Sequence, residues 1–220
     1  MLKDVAVIGL GRFGTSVAVT LQGSGVSVMG IDVLQENVSA VAGILTQAVQ
    51  ADATDEHVVK ELGVRNCDAV VVAIGSNVSA SLLVTVMLKE LGVKYIIAKA
   101  STELHAQALK LVGADRVVLP ERDMGQRVAN CLISPSLLDY IDLSPEHSVI
   151  EVTATEFLAG KTLRQLDLRN RYDANVIAFR RGERMNLAPR ADDSIETGDV
   201  LVLVGGNDGL DKLLSRLRSR

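Results

Sequence analysis

The residues whose types and spacing could do chemistry are Gly9, Gly11, Arg12, Phe13 and Gly14, at the end of the stretch Val5-Ala6-Val7-Ile8-Gly9-Leu10-Gly11-Arg12-Phe13-Gly14. A short apolar run ends in G-x-G-x-x-G, and a helical pattern begins at once. In that setting the first glycine permits a tight turn and the second lets backbone amides approach a phosphate. The third lets the helix pack close to the strand. Amides at the helix N-terminus, with the positive end of the helix dipole, then hold the anion. Asp32 follows Gly11 by 21 positions and closes the next apolar run, Val26–Ile31. A carboxylate there accepts hydrogen bonds from ribose hydroxyls and repels a 2′-phosphate. The pattern predicts a nucleotide or dinucleotide site, against the plainer alternatives of a structural turn and a helix-capping Asp32.

Further residues belong to the same sheet edge. Asp52, Ala53 and Thr54 follow the predicted third strand, where adenine would lie, and capping of the next helix is the competing role for Asp52 and Thr54. Arg12 adds a mobile cation that a pyrophosphate-binding helix does not require, but that a terminal γ-phosphate would engage. Lys99, ending the fifth predicted strand, shares that rim. A catalytic set is harder to find. His57, His105 and His147 are scattered and read as surface residues, and Cys67 and Cys131 read as packing residues. The chain contains no C-x-x-C and no H-E-x-x-H.

The elements that must position these residues follow from periodicity. Short apolar runs at Val5–Ile8, Val26–Ile31, Gln47–Ala51, Ala69–Ile74, Tyr95–Ala98 and Arg116–Leu119 alternate with helical patterns. Six strands so arranged predict an α/β fold, a Rossmann-like doubly wound parallel sheet with right-handed crossovers. Beyond Pro120, Asp123–Ile133 reads as a helix with Val128, Leu132 and Ile133 turned inward, and Ser136–Tyr140 as a second helical piece. After Pro145 the period changes from helical to alternating, predicting a small α+β domain with strands at Val149–Thr153, Val176–Phe179 and Val200–Val204. Helices are expected there at Lys161–Leu166 and Asp208–Leu217. The expected domains are 1–134, including a crossover helix over about 121–134, and 146–220, joined by a linker at 135–145.

Composition narrows the class. A chain of 220 residues, 48% hydrophobic and 23% charged, describes an ordinary globular protein. No apolar run approaches the roughly 18–20 residues needed to cross a bilayer. The amino-terminal stretch is unlike a signal peptide, because Arg12 interrupts its apolar segment. Two cysteines make no disulfide framework and point to a reducing cytoplasm. A net charge of −4 argues against nucleic acid as a partner. Residues 141–220 hold ten Arg and two Lys, whereas residues 1–140 hold five Arg and six Lys. That bias supplies phosphate forks or a solvated surface.

The motifs also resemble a known family. V-I-G-L-G-R-F-G, Asp32, A-D-A-T at 51–54, V-V-A-I-G-S-N at 71–77 and A-K-A at 98–100 are similar to the KtrA family. So are G-A-D-R-V-V-L-P-E-R-D-M-G at 113–125 and L-L-D-Y-I-D-L at 137–143. The resemblance implies a cytosolic gating subunit of Ktr-type potassium uptake systems, not an enzyme. It would be built from RCK (regulator of K⁺ conductance) N- and C-domains, as homodimers assembled into an octameric ring beneath a membrane-embedded, potassium-translocating subunit. It implies activation by ATP and relaxation by ADP, with Arg12 reaching the γ-phosphate across a dimer interface and Lys99 near the phosphates. Glu121 would bind a divalent cation such as Mg²⁺ or Ca²⁺ beside the γ-phosphate. A cyclic di-AMP site in the C-domain would use Leu163, Asp167, Arg169, Asn175 and Val176. The competing readings are an NAD(H)-binding Trk-like regulator, a regulator of a cation antiporter, and a small NAD-dependent oxidoreductase or redox sensor.

Overall fold

The computed structural model describes residues 2–218, so the outermost residues of the expected domains, Met1 and Ser219–Arg220, lie outside the described residues. The chain divides into two compact units, Met1–Arg122 and Asp123–Arg220.

The first unit alternates strands and helices: β1 (Asp4–Ile8), α1 (Arg12–Gly23), β2 (Ser27–Asp32), α2 (Gln35–Val41), β3 (Gln47–Gln50) and α3 (Glu56–Glu61). It continues through β4 (Ala69–Val72), α4 (Val78–Glu90), β5 (Ile96–Lys99), α5 (Glu103–Leu111) and β6 (Arg116–Val118). The strands form one parallel sheet in the order β3-β2-β1-β4-β5-β6. That is the doubly wound arrangement read from the sequence. Alternation along β1 explains why both faces are covered. Val5 and Val7 pack with Ala18, Val38 and Val41 from α1 and α2. Ala6 and Ile8 pack on the opposite face, in the cluster holding Val59, Val84, Leu88, Ala106 and Leu109 from α3, α4 and α5. The order reverses between β1 and β4, and ligands of such sheets lie beyond the carboxyl ends of the strands at that reversal.

Helix α6 (Pro120–Ile133) starts at its proline, which suits a first-turn position because no backbone donor is lost there. The expected inward face is corrected: Val128, Leu132 and Ile133 are 51%, 78% and 58% exposed, and none of the helix's described side chains is buried.

The second unit contains β7 (Leu137–Asp142), β8 (His147–Thr153), α7 (Leu163–Leu166), α8 (Leu168–Tyr172), β9 (Ala174–Arg181), β10 (Arg184–Asn186), β11 (Val200–Gly206) and α9 (Asn207–Arg218). Its antiparallel sheet has the order β10-β9-β11-β8-β7. Ile150, Val152, Leu201 and Leu203 pack with Leu210, Leu213, Leu214 and Leu217, the apolar stripe of α9. The expected helix at Ser136–Tyr140 is instead strand β7, paired with β8 across a register shift between Leu137 and Asp139. Arg127 makes a two-pronged contact with Asp139 there. Helix α8 and strand β10 have no counterpart in the sequence reading.

Two smaller expectations are also revised. His105 is buried, not superficial, and its Nδ1 faces the Ser101 backbone N–H at 3.3 Å. Cys67 is buried as expected, whereas Cys131 is only partly covered.

Candidate nucleotide-binding site

The site is built from the carboxyl ends of β1, β2, β4 and β5. Gly9 takes φ +96°, and a Cβ on it would meet the Ala73 carbonyl carbon at 3.0 Å. A Cβ on Gly14 would overlap the Gly9 carbonyl oxygen, so α1 touches the turn backbone to backbone. Gly11 differs from both. Its backbone is extended at φ −68°, ψ −174°, and nothing lies within 4 Å of a Cβ built on it. Neither chain geometry nor packing within the chain requires glycine there. The Gly11 backbone is open to an incoming group.

The start of α1 agrees. Side chains cap α3, α4, α5 and α7, from Asp55, Asn77, Thr102 and Thr162 respectively. No side chain caps α1, and its first turn carries no acid. An uncapped helix start leaves amide donors and a positive dipole end for an anion.

Asp32 is tied into the loop. Its Oδ2 accepts from the Leu10 N–H at 2.6 Å and its Oδ1 from the Leu34 N–H at 2.8 Å. Each carboxylate oxygen retains a lone pair for a ribose hydroxyl. Asp52 Oδ1 accepts from the Thr54 hydroxyl at 2.7 Å and the Thr54 N–H at 2.9 Å. These bonds, the hydroxyl's first, hold the Asp52 carboxyl below its ordinary pKa. Ala53 lies between them with its side chain in the core, leaving only backbone for a ligand.

The phosphate rim carries the cations. Lys99 Nζ is 2.6 Å from Glu121 Oε1 and 5.8 Å from the centre of the Phe13 ring. The Lys99 stem lies against Gly75, where an added Cβ would come within 3.2 Å of Nζ and 3.3 Å of Cε. Lys99 is thus mostly enclosed, its side chain 14% exposed, whereas that of Glu121 is 69% exposed. The hydrogen bond from Lys99, then a backbone N–H, with the charges of Lys99 and Arg12 adding, hold the Glu121 carboxyl below its ordinary pKa. Arg12 is itself exposed at the helix start. The structure therefore brings together Gly9, Gly11, Arg12, Phe13, Gly14, Asp32, Lys99 and Glu121. Gly75 appeared in the sequence reading only inside V-V-A-I-G-S-N at 71–77 and not as a site residue; it lies three residues past the end of β4, against Lys99.

The matches to known proteins follow this architecture. The TrkA-N domain family matches residues 5–120, and the TrkA-C domain family matches residues 148–218. Ktr system potassium uptake protein C of Bacillus subtilis (strain 168) is 45% identical over 217 residues, covering 99% of this chain and 98% of that protein. The chain belongs to the Ktr potassium uptake protein family. Ktr system potassium uptake protein A of the same organism is 42% identical over 203 residues, 92% of this chain and 91% of that protein. The GsuK RCK domain crystal structure shares the fold at TM-score 0.72 and 19% identity, over 100% of this chain and 48% of that one.

Two further expectations come from the Ktr resemblance. Among the described residues, no group of three or more His, Cys, Asp or Glu is arranged to hold a metal ion. Glu121 alone is a poor cage for a divalent cation. As one hard oxygen ligand beside phosphate oxygens and water it fits, since Mg²⁺ is commonly held that way. The residues expected around cyclic di-AMP all fall in the second unit. Leu163 opens α7, and Asp167 sits at φ 45° between α7 and α8 and accepts from Asn170 Nδ2 at 2.7 Å. Arg169 is exposed on α8, while Asn175 and Val176 lie on β9 opposite Val204 and Leu203. Among these five, the Asp167 N–H donates to the Leu163 carbonyl at 3.1 Å, at the end of α7.

Proposed function

We propose that this chain is the regulatory subunit of a potassium uptake system, a nucleotide sensor that controls a separate membrane-embedded, ion-conducting subunit. The observation that carries the reading is the open ground at Gly11, above an uncapped helix start and beside an enclosed lysine. Family membership supplies the transport context, since the relatives are named as potassium uptake proteins. Among the described residues no helix is long and apolar enough to cross a membrane. In this reading the chain works from the cytosolic face, held at the membrane by its partner.

The proposed ligands are ATP and ADP. Asp32 takes the ribose diol, Asp52 and Thr54 border the base, and the α1 amides hold the diphosphate. Arg12 and Lys99 read the terminal phosphate, with a divalent cation shared between it and Glu121. The second unit pairs with its copy and takes cyclic di-AMP through Leu163, Asp167, Arg169, Asn175 and Val176. Dimers assemble into an octameric ring. The role is gating, not catalysis.

The energetic demand is small. Turning a gate from 1:99 to 99:1 takes about 5.5 kcal/mol of differential binding. Spread over eight concerted sites, this is roughly 0.7 kcal/mol each, within reach of one charge-assisted contact.

A thermal-shift series with ATP, ADP, NAD⁺, NADH and cyclic di-AMP tests the reading, because a ligand of the native state raises stability by RT ln(1 + [L]/Kd). ATP and ADP are expected to stabilise the chain most at the first unit. A dominant NADH shift accompanied by hydride transfer would replace the gating reading with an oxidoreductase. Arg12→Ala is expected to keep nucleotide binding but lose the difference between ATP and ADP in titration calorimetry.

A further inference from the structure

The second unit holds a cleft whose lining includes none of the residues assigned to nucleotide or to cyclic di-AMP. Arg171 of α8 and Lys212 and Arg216 of α9, with Tyr172 and Ser215, surround a cavity of about 530 Å³. Other arginines of this unit are neutralised: Arg127 by Asp139, Arg164 by Asp192, Arg181 by Glu196 and Asp199. Arg171, Lys212 and Arg216 form no ion pair among the described residues. Like charges gathered without a counter-charge repel one another, and an anion among them turns that repulsion into attraction. The helix dipole accounts for Arg216, in the last turn of α9, but not for Lys212 in its middle.

The walls of the cleft are fixed. A Cβ on Gly209 would overlap the Tyr172 carbonyl oxygen, so α8 and α9 meet backbone to backbone. Gly209, Lys212 and Arg216 follow one another at helical spacing, which sets both cations on the side of α9 that meets α8. Opposite them Tyr172 is anchored in the core that holds Leu213 and Leu217, and the Arg171 guanidinium lies 5.5 Å from the centre of its ring. A guanidinium stacked in this way loses little freedom when its fork takes up two oxygens.

We infer that this cleft binds a soluble, phosphate-bearing small molecule, with Arg171 as the fork and Lys212 and Arg216 as the flanking charges. Three cations exceed what a single carboxylate needs and suit a phosphate or pyrophosphate group. The cavity falls within the range of small-molecule sites, about 300–1,000 Å³, and leaves room beyond the phosphate for an organic part. It is separate from the cyclic di-AMP residues, because Arg169 and Arg171 stand about 200° apart around α8. The second unit thereby gains an input of its own, independent of the nucleotide at the first.

Hydrogen exchange of the full chain, titrated with inorganic pyrophosphate against sodium chloride of equal ionic strength, reads the two units separately. Pyrophosphate is expected to slow exchange in α8 and α9 in a saturable way, and chloride is not. The Arg171→Gln/Arg216→Gln variant should weaken that response by at least about 10-fold, and Arg171→Lys, which keeps the charge but not the fork, by about 3-fold. Lys212→Gln touches neither the stacked pair nor the helix end and should weaken it about 5-fold without changing the melting temperature. Equal protection by chloride, or undiminished protection in Lys212→Gln and the double variant, would overturn the inference. So would protection of α8 and α9 by phosphatidylglycerol vesicles with none by pyrophosphate, which would make the cleft a membrane contact. Loss of cyclic di-AMP binding in the double variant, with its melting temperature kept, would merge the cleft with that site and remove it as a separate one.

Discussion

The two units each hold a prominent ion pair, and the pairs are built inside out relative to one another. In the first unit the cation is enclosed and the acid exposed: the side chains of Lys99 and Glu121 are 14% and 69% accessible. In the second the acid is enclosed, with Asp199 at 2% and Arg181 at 41%. Asp199 is also held by three hydrogen bonds. It accepts from Arg181 Nε at 2.9 Å, a second guanidinium nitrogen at 2.7 Å and the Glu196 N–H at 2.8 Å. Arg181 reaches on to Glu196 Oε1 and the Ser194 carbonyl. A planar guanidinium fork on a buried carboxylate ties the end of β9 to the residue before β11. The Lys99–Glu121 pair is a single ammonium–carboxylate contact with its acid in solvent. Burial of the acid, rather than the number of charges, separates the two pairs.

The largest expected effect tests the Arg181–Asp199 pair. Asp199→Ala leaves Arg181 half-solvated and the Glu196 amide without its acceptor, and should cost about 3 kcal/mol of unfolding free energy in denaturant titration. The same variant should bind ADP as wild type does. If it lost nucleotide affinity and kept its stability, the contrast between the pairs would collapse. The next effect tests the other pair. Gly75→Ala places a methyl against the Lys99 stem and should weaken ATP by about 10-fold in calorimetry, with little change in melting temperature.

Acid offers a way to separate the units. Burial holds the His105 imidazole below its ordinary pKa. The native state then binds fewer protons than the unfolded chain below about pH 6.5. Its contribution is present above that pH and lost as pH falls through the native value. Asp199 is depressed chiefly by its bond from Arg181, so its contribution persists until pH drops below about 4. Hydrogen exchange followed by region should show protection declining first in the first unit as pH falls below about 6.5. His105→Gln should flatten that early decline. The smallest expected effect is Glu121→Gln on stability, below about 0.5 kcal/mol, because the pair is largely solvent-facing on its acidic side.

The parallel half was readable because glycine punctuation and doubly buried valine runs leave few alternatives. Ala69–Val72 is buried throughout, as a continuous apolar run at the centre of such a sheet requires. The antiparallel half was harder. Leu137-Leu138-Asp139-Tyr140 fits a helical turn as well as a strand, and only pairing with β8 decides it. Helix α8 is bracketed by Asp167 and Asp173 at positive φ, a composition that reads as loop. Within the site, the glycine loop and Asp32 were legible because their spacing is local to one βαβ unit. Lys99 and Glu121 were each singled out, yet their pairing joins residues 22 apart and required the fold. Gly75 was not singled out for a related reason: its purpose is to be absent from the path of another side chain.

The contact between Gly14 and the Gly9 carbonyl has a kinetic consequence. With α1 resting on the turn and the turn resting on Ala73, close backbone contacts at Gly14 and Gly9 hold the turn from both sides. A preformed receptor imposes no ordering step, so association should proceed at similar rates for nucleotides that share this cradle. Differences among them would then be written in residence time.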